Sequence, residues 1–199
     1  MDKNPGIGLF GGTFDPIHIG HLITAEEVRD LFGLDEIVFT PSNRSPHKPD
    51  RPMASARDRY EMVALATKSN PYFSVDDIEL VRGGTSYTVD TVREFRERRG
   101  DEVSLHLVIG ADLMLDLESW KDPDQLLALV TIIVMSRPGY DLRQVPEPFR
   151  GRFEVARVSH IDISSTMIRQ RVLEGRSVRY LVPDAVEAYI SAKELYRGR

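Results

Sequence analysis

The sequence predicts an α/β domain with a doubly wound, mainly parallel sheet, and three observations support this prediction. Short apolar runs alternate with amphipathic segments along most of the chain. Several of these runs are almost continuously apolar, which is typical of parallel strands covered by helices on both faces. The chain has 199 residues, of which 41% are hydrophobic, so it can bury one substantial core. Strand and helix alternation of this kind favours a single open sheet with right-handed crossovers.

Six segments rich in valine, isoleucine and phenylalanine are predicted to form the strands of this sheet. In chain order they are Ile7–Phe10, Ile37–Thr40, Phe73–Val75, Leu105–Ile109, Thr131–Met135 and Phe153–Arg157.

Helices are predicted between the strands, where apolar residues recur at helical spacing. The clearest stripes are Leu22, Ala25, Val28 and Phe32, then Tyr60, Val63 and Thr67, then Val89, Val92 and Phe95. Ser55 and Thr88 are predicted N-caps, and Gly33 and Gly100 are predicted to follow helix ends. We expect Arg57, Arg59 and the run Arg93–Arg99 to lie on exposed helix surfaces.

The pattern changes after residue 158. A polar turn leads into a helix that begins at Ser164 or Ser165, and Pro183 suits the first turn of a second helix. No linker separates these helices from the sheet. We therefore predict one domain over residues 1–199, in which residues 159–199 form a small C-terminal helical cap.

Composition limits the possible partners and compartments. The formal net charge is −5 and the chain contains no cysteine, so disulfides, thiolate metal sites and cysteine nucleophiles are excluded. The first residues lack the apolar core of a signal peptide, and no run approaches the roughly 20 apolar residues that span a bilayer. We expect a soluble cytoplasmic protein that binds neither nucleic acid nor membrane, and a homo-oligomer remains possible.

The segment "GGTFDPIHIGH", from Gly11 to His21, lies at the predicted turn between the first strand and the first helix. Glycines there let backbone approach a phosphate, and the following helix N-terminus supplies oriented N–H groups. His18 and His21 lie three apart, so they can share one face of the helix start and donate hydrogen bonds to phosphate oxygens.

Other interpretations of this segment are weaker. A metal site would need a third ligand at helical spacing, and "HIGH" offers none. A dinucleotide-binding motif would need G-x-G-x-x-G spacing at the turn after the strand, and "GLFGGT" at that turn lacks it. A single histidine would usually be structural, but a pair within this glycine-rich segment is more specific.

Two motifs resemble the signatures of one superfamily. "GGTFDPIHIGH" resembles the motif with which nucleotidyltransferases bind ATP phosphates, and "ISSTMIR", from Ile163 to Arg169, resembles their second signature. Within the superfamily, the sequence is most similar to the bacterial nicotinate mononucleotide adenylyltransferases over nearly its whole length. The segments that carry this similarity are "PSNRSPHK", "GTSYTVDT", "IGADLMLDLESW" and "MSRPG". The resemblance implies a Rossmann-like nucleotidyltransferase fold.

The resemblance also implies an activity and an ATP site. The reaction would join AMP from ATP to nicotinate mononucleotide, giving deamido-NAD and pyrophosphate, with Mg²⁺ bound to the ATP. His18, His21 and Arg169 would be the catalytic residues. The implied ATP contacts are Gly11, Gly12, Thr13, Phe14, His18, His21, Gly110, Asp112, Ser164, Ser165, Thr166, Ile168 and Arg169. No protein cage for a metal is implied.

The implied contacts for nicotinate mononucleotide are His47, Lys48, Tyr87, Thr88 and Trp120. Two departures from the family pattern adjoin them, since Ser45 replaces a proline and Asp116 stands where some relatives have an aromatic residue. Without the resemblance, each assignment has a plainer structural alternative. Lys48 could be a solvated charge, Thr88 only an N-cap, and Trp120 a core residue.

Two rival functions remain open. Another adenylyltransferase or cytidylyltransferase of the same fold could share both motifs, for instance one that acts on pantetheine phosphate. A nucleotide-binding sensor without turnover is the alternative from a different class. The segments "SPHK" and "SYT" argue against the first rival, and the intact histidine pair and Arg169 argue against the second.

Overall fold

A computed structural model describes residues 6–46, 53–100 and 102–198 of the chain. All six predicted strands are confirmed, with ends that differ by at most two residues. They are β1 (Gly6–Gly12), β2 (Glu36–Pro41), β3 (Phe73–Val75), β4 (Ser104–Gly110), β5 (Thr131–Met135) and β6 (Phe153–Ala156).

The strands form one parallel sheet in the order β3-β2-β1-β4-β5-β6. The first three strands therefore run from the centre of the sheet at β1 to the edge at β3. The chain then returns to the centre at β4, and the last three strands run to the other edge at β6. This strand order confirms the predicted doubly wound fold. Because the order reverses between β1 and β4, a crevice opens at the carboxyl ends of these two strands, which is where such sheets bind ligands.

Eight α-helices cover the sheet in the part of the chain that the structure describes. They are α1 (Ile19–Phe32), α2 (Ala56–Thr67), α3 (Ile78–Arg82), α4 (Thr88–Arg99), α5 (Ala111–Leu115), α6 (Pro123–Leu129), α7 (Ser165–Leu173) and α8 (Asp184–Ala192). Short 3₁₀ turns lie at Leu117–Ser119, Leu142–Gln144 and Glu147–Phe149.

The core consists of two apolar clusters, one on each face of the sheet. Consecutive strand residues point to opposite faces, so Phe10 and Phe39 belong to one cluster and Leu9 and Val38 to the other. The first cluster packs against α1, α2, α7 and α8, and the second against α3, α4, α5 and α6. Burial on both faces explains the continuous apolarity of the strand sequences.

The helix ends follow their sequence signals in most cases. Ser55 and Ser164 cap α2 and α7, and each hydroxyl accepts a hydrogen bond of 3.1 Å from the backbone N–H three residues later. Gly33 follows α1 in the left-handed conformation, with φ of 59°. The prediction for Thr88 is wrong by one position: Tyr87 is the N-cap of α4 and Thr88 is its first residue. Pro183 likewise stands at the N-cap of α8 rather than in its first turn.

One expected surface residue is buried. Arg57 is exposed as predicted, whereas only 1% of Arg59 is accessible to solvent. The two residues are neighbours along α2 but differ by about 200° around its axis, and the stripe formed by Met62, Val63 and Ala66 places Arg59 on the buried side.

The C-terminal region packs onto the same face of the sheet as α1 and α2. Val178, Val182, Val186 and Ile190 belong to the first apolar cluster, and the Ile19 N–H donates to the carbonyl of Leu181 at 3.0 Å. Among the described residues, no helix is both long enough and apolar enough to cross a membrane.

Candidate functional site

A cavity of about 610 Å³ opens at the carboxyl ends of β1, β4 and β5. It lies at the switch point of the sheet, and its volume is in the range of sites that hold small-molecule ligands. The cavity wall is built mainly from two segments, residues 10–21 and residues 158–169. The fold therefore brings together the two motifs that the sequence analysis singled out.

Glycines in and beside these motifs leave room for functional side chains. A Cβ atom on Gly20 would lie 3.1 Å from Nδ1 of His18, and one on Gly12 would lie 2.9 Å from the ring of Phe14. At the end of β4, a Cβ on Gly110 would lie 2.5 Å from Oδ1 of Asp112, which is closer than real Cβ contacts allow. Side chains at these three positions would displace groups that line the cavity.

The two histidines form a stacked pair at the start of α1. His18 is the N-cap, and its backbone N–H donates to Nδ1 of His21 at 3.2 Å. The ring centroids are 3.6 Å apart and the ring planes differ by 24°. Both rings line the cavity, which confirms that they share one face. Because Nδ1 of His21 accepts a hydrogen bond, the ring proton of neutral His21 lies on Nε2.

Burial fixes the charge of His18. Only 7% of the residue is exposed, and desolvation lowers the pKa of its imidazole from 6.5 to about 4. At neutral pH His18 is therefore an uncharged donor.

The second motif contacts the first through two hydrogen bonds. The Ser165 hydroxyl donates to the carbonyl of Pro16 at 2.9 Å, and Nη1 of Arg169 donates to the carbonyl of Asp15 at the same distance. Nη2 of Arg169 also donates to the Thr166 hydroxyl at 3.2 Å. The bonds to Pro16 and Asp15 join residues about 150 positions apart, so Arg169 is held at the cavity beside the histidines.

The carboxylate of buried Asp15 holds the first motif in place. This carboxylate accepts hydrogen bonds from the backbone N–H groups of Met53 and Ala54, at 2.9 and 3.2 Å, and from the hydroxyl of Tyr196 at 2.8 Å. Burial first, and then the charge of Asp15, raise the pKa of Tyr196 well above its usual value, so the phenol keeps the proton that it donates.

The structure brings nearly all of the predicted ATP contacts together. The cavity wall includes Gly11, Gly12, Thr13, Phe14, His18, His21, Gly110, Asp112, Ser164, Ser165, Thr166 and Arg169. Ile168 is the exception, because it is fully buried in the first apolar cluster.

The predicted mononucleotide contacts are not gathered in the same way. His47 and Lys48 lie outside the described residues. Tyr87, Thr88 and Trp120 do not line the cavity, and Trp120 is 8% exposed within the second apolar cluster. The segment before Tyr87 nevertheless adjoins the cavity, since the Ser86 N–H donates to the carbonyl of Arg44 at 2.9 Å and Arg44 is part of the cavity wall.

Three residues of the cavity wall with basic side chains were not selected from the sequence. Arg44 and Arg137 follow β2 and β5, within the segments "SNRSPHK" and "MSRPG", and His160 precedes α7. The signal for the two arginines was their position just after parallel strands, where side chains converge on one edge of the sheet.

The cavity at the switch point of the parallel sheet presents glycine backbone, a helix N-terminus, two imidazoles and a guanidinium. This combination is typical of α/β proteins that bind the phosphate groups of nucleotides. The family model described as cytidylyltransferase-like matches residues 9–171. The chain belongs to this family, and within it to the nicotinate-nucleotide adenylyltransferases.

Individual relatives support this placement. The chain is 49% identical to a probable nicotinate-nucleotide adenylyltransferase of Moorella thermoacetica, and the match covers 98% of this chain and 94% of the relative. It is 47% identical to one from Thermus thermophilus, covering 96% and 99%. Among solved structures, the Plasmodium falciparum nicotinic acid mononucleotide adenylyltransferase complexed with NaAD has a TM-score of 0.77 at 18% identity, covering 96% of this chain and 97% of that one. This last similarity concerns the fold.

Proposed function

We propose that this chain transfers AMP from ATP to nicotinate mononucleotide, giving deamido-NAD and pyrophosphate for NAD biosynthesis. The observation that carries the proposal is the stacked pair of His18 and His21, which faces the switch-point cavity together with Arg169. The names of the relatives supply the acceptor, since those covering almost the whole chain are called nicotinate-nucleotide adenylyltransferases.

The chemistry needs no strong general base. A phosphate oxygen of the mononucleotide is already ionised at neutral pH, and it attacks the α-phosphorus of ATP in line while pyrophosphate departs. Catalysis then rests on positioning and on stabilising the charge of the transferring and leaving groups. A neutral His18 suits this task, because it can donate a hydrogen bond to a phosphate oxygen. Its low pKa makes it a poor general base, and the ionised nucleophile needs none.

We assign different residues that line the cavity to different parts of ATP. His18 and His21 contact the phosphate oxygens at which the reaction occurs, while Arg169 and the N–H groups of Ser164–Thr166, at the start of α7, hold the departing phosphates. Asp112, in α5 just after β4, accepts hydrogen bonds from the ribose hydroxyls of adenosine.

Mg²⁺ would enter with ATP. The described residues contain no group of three or more histidine, aspartate or glutamate side chains that could hold a metal ion. A metal in this cavity would therefore take most of its ligands from phosphate oxygens and water, which suits Mg²⁺ because it loses water reluctantly. The ion would neutralise phosphate charge, while the histidines and Arg169 orient the phosphates.

The mononucleotide is assigned to the side of the cavity next to Arg44. Lys48 and His47 provide the contacts to its phosphate, and the N–H groups at the start of α4, near Tyr87 and Thr88, receive the nicotinate carboxylate. The pyridine ring is assigned to Trp120, whose remaining exposed surface would form the contact. A reaction that consumes ATP and builds a cofactor also fits a cytoplasmic location.

Labelled ATP distinguishes this function from simple hydrolysis and from a sensor. With nicotinate mononucleotide present, we expect an α-phosphorus label to appear in the dinucleotide and a γ-phosphorus label in pyrophosphate. His21→Ala should lower kcat by about 10² or more, as loss of a transition-state donor does. His106→Gln, in β4 and away from the cavity wall, is the matched control and should retain activity. Binding of ATP without label transfer would contradict the proposal.

A further inference from the structure

Arg59 is a buried arginine that the proposed mechanism does not use. Its Nη1 donates to the carbonyl of Thr13 at 2.6 Å, and its Nη2 donates to the carbonyl of Asn43 at 3.2 Å. Thr13 belongs to the loop after β1, and Asn43 belongs to the loop after β2. One side chain on α2 therefore joins the loops that follow two adjacent strands.

The Thr13 end of this link belongs to the ATP side of the cavity. Thr13 itself lines the cavity between Gly12 and Phe14. Two residues further on, the carbonyl of Asp15 accepts the hydrogen bond from Arg169. The loop that Arg59 holds at Thr13 is therefore continuous with the residues assigned to the ATP phosphates.

The Asn43 end belongs to the mononucleotide side. The Asn43 N–H donates to the Ser86 hydroxyl at 3.0 Å, and the Asn43 side-chain amide donates to the carbonyl of Gly84 at 2.8 Å. Together with the bond from the Ser86 N–H to the carbonyl of Arg44, these contacts make residues 43–44 and 84–86 one connected unit. This unit leads directly into Tyr87 and Thr88 at the start of α4.

A buried guanidinium is a costly way to join two loops, because burial removes its hydration. Desolvation lowers the pKa of Arg59, and the acidic groups of Asp15 and Glu79 act in the opposite direction. The planar guanidinium presents its donors in a rigid fork, so it fixes the relative position of two acceptors better than a flexible ammonium does.

We propose that Arg59 is a positioning residue for adenylyl transfer, which sets the separation between the ATP loop at Thr13 and the mononucleotide unit at Asn43. The inference rests on the proposed function, because it assumes that the two sides of the cavity hold two reacting substrates. Arg59 contacts neither substrate. It acts by aligning the attacking oxygen with the α-phosphorus.

The variant that tests this role is Arg59→Lys, which keeps a positive charge beside Asp15 and Glu79 but removes the fork. We expect kcat for deamido-NAD formation to fall at least about tenfold, because a misplacement of about 1 Å can cost on the order of 10² in rate. The dissociation constant for ATP alone should change less than about threefold, since the ATP phosphate ligands remain in place. Arg57→Lys, on the exposed side of the same helix, is the matched control and should leave both values unchanged.

A purely structural role gives a different result. If Arg59→Lys lowers the melting temperature while kcat per folded molecule stays at the wild-type value, the proposal is overturned. If Arg59→Lys does not fold, the same comparison is made with Arg59→Gln. If that variant binds ATP as tightly as the wild type and keeps the wild-type kcat, the proposal is overturned equally. Failure of the proposed function is seen separately, because wild-type protein would then form no deamido-NAD at all.

Discussion

At the scale of single residues, burial determines what each histidine of the pair can contribute. His18 is neutral because its ring is buried, and the Nδ1 atom of His21 is occupied by the backbone N–H of His18. Both rings are thus set up as hydrogen-bond donors rather than as positive charges. The positive charge in the two motifs comes from the guanidinium of Arg169.

The low pKa of His18 predicts a pH dependence of stability. Between pH 6.5 and about 4 the unfolded chain binds a proton at this residue that the folded chain does not, so the free energy of unfolding falls as the pH is lowered through this window. The full loss is about 3 kcal/mol. We expect urea denaturation at pH 7, 5.5 and 4 to show this loss in wild type and not in His18→Gln. Parallel losses in the two proteins would contradict the assignment.

Arg59 shows which signal in the sequence identifies a buried charged residue. Its spacing from Met62, Val63 and Ala66 is three, four and seven residues, so it lies on the apolar stripe of α2. Arg57 is not on that stripe. A charge on an apolar face indicates a buried, hydrogen-bonded group, and here it could have been predicted from spacing. Its two carbonyl partners could not, because they come from loops whose contacts depend on the folded sheet.

At the scale of secondary-structure elements, the strands were predictable and some helix boundaries were not. Each strand is an apolar run between turn residues. Because both faces of the sheet are buried, these runs do not show the alternation of apolar and polar residues that a half-exposed strand has. Thr88 was misassigned because a threonine before an apolar stripe is a common N-cap, whereas the helix begins at Thr88 itself and Tyr87 occupies the cap without a side-chain hydrogen bond.

The two serine N-caps provide a matched pair for separating stability from binding. Ser55 and Ser164 make the same 3.1 Å bond at the starts of α2 and α7, but only Ser164 lines the cavity. Ser55→Ala and Ser164→Ala should each lower the free energy of unfolding by about 1 kcal/mol. Only Ser164→Ala should raise the KM for ATP, which steady-state kinetics can measure. Equal KM values in the two variants would argue against an ATP site at the start of α7.

At the scale of the whole molecule, the sequence predicted the clustering of the residues assigned to ATP better than that of the residues assigned to the mononucleotide. Most of the residues assigned to ATP lie in two compact motifs, and the fold brings these motifs into direct contact through Arg169 and Ser165. The mononucleotide residues are single positions in separate segments. Neither spacing nor composition fixes how such segments approach each other, and the structure places Trp120 and Thr88 away from the cavity wall.

The proposed contact between the nicotinate carboxylate and the start of α4 predicts a selectivity between acid and amide. If N–H groups at the start of α4 meet the pyridine substituent, a carboxylate is favoured, because an amide would turn its own NH₂ toward donors. Unpaired buried polar groups cost roughly 1 to 3 kcal/mol each, so kcat/KM for the acid should exceed that for the amide at least about tenfold.

The most direct test of the account is the rate of pyrophosphate release from ATP with three acceptors in turn: nicotinate mononucleotide, nicotinamide mononucleotide and pantetheine phosphate. We predict rapid release with nicotinate mononucleotide, matched mole for mole by deamido-NAD, slower release by at least about tenfold with the amide, and none with pantetheine phosphate. No release with nicotinate mononucleotide, or faster release with either of the other two acceptors, would contradict the account.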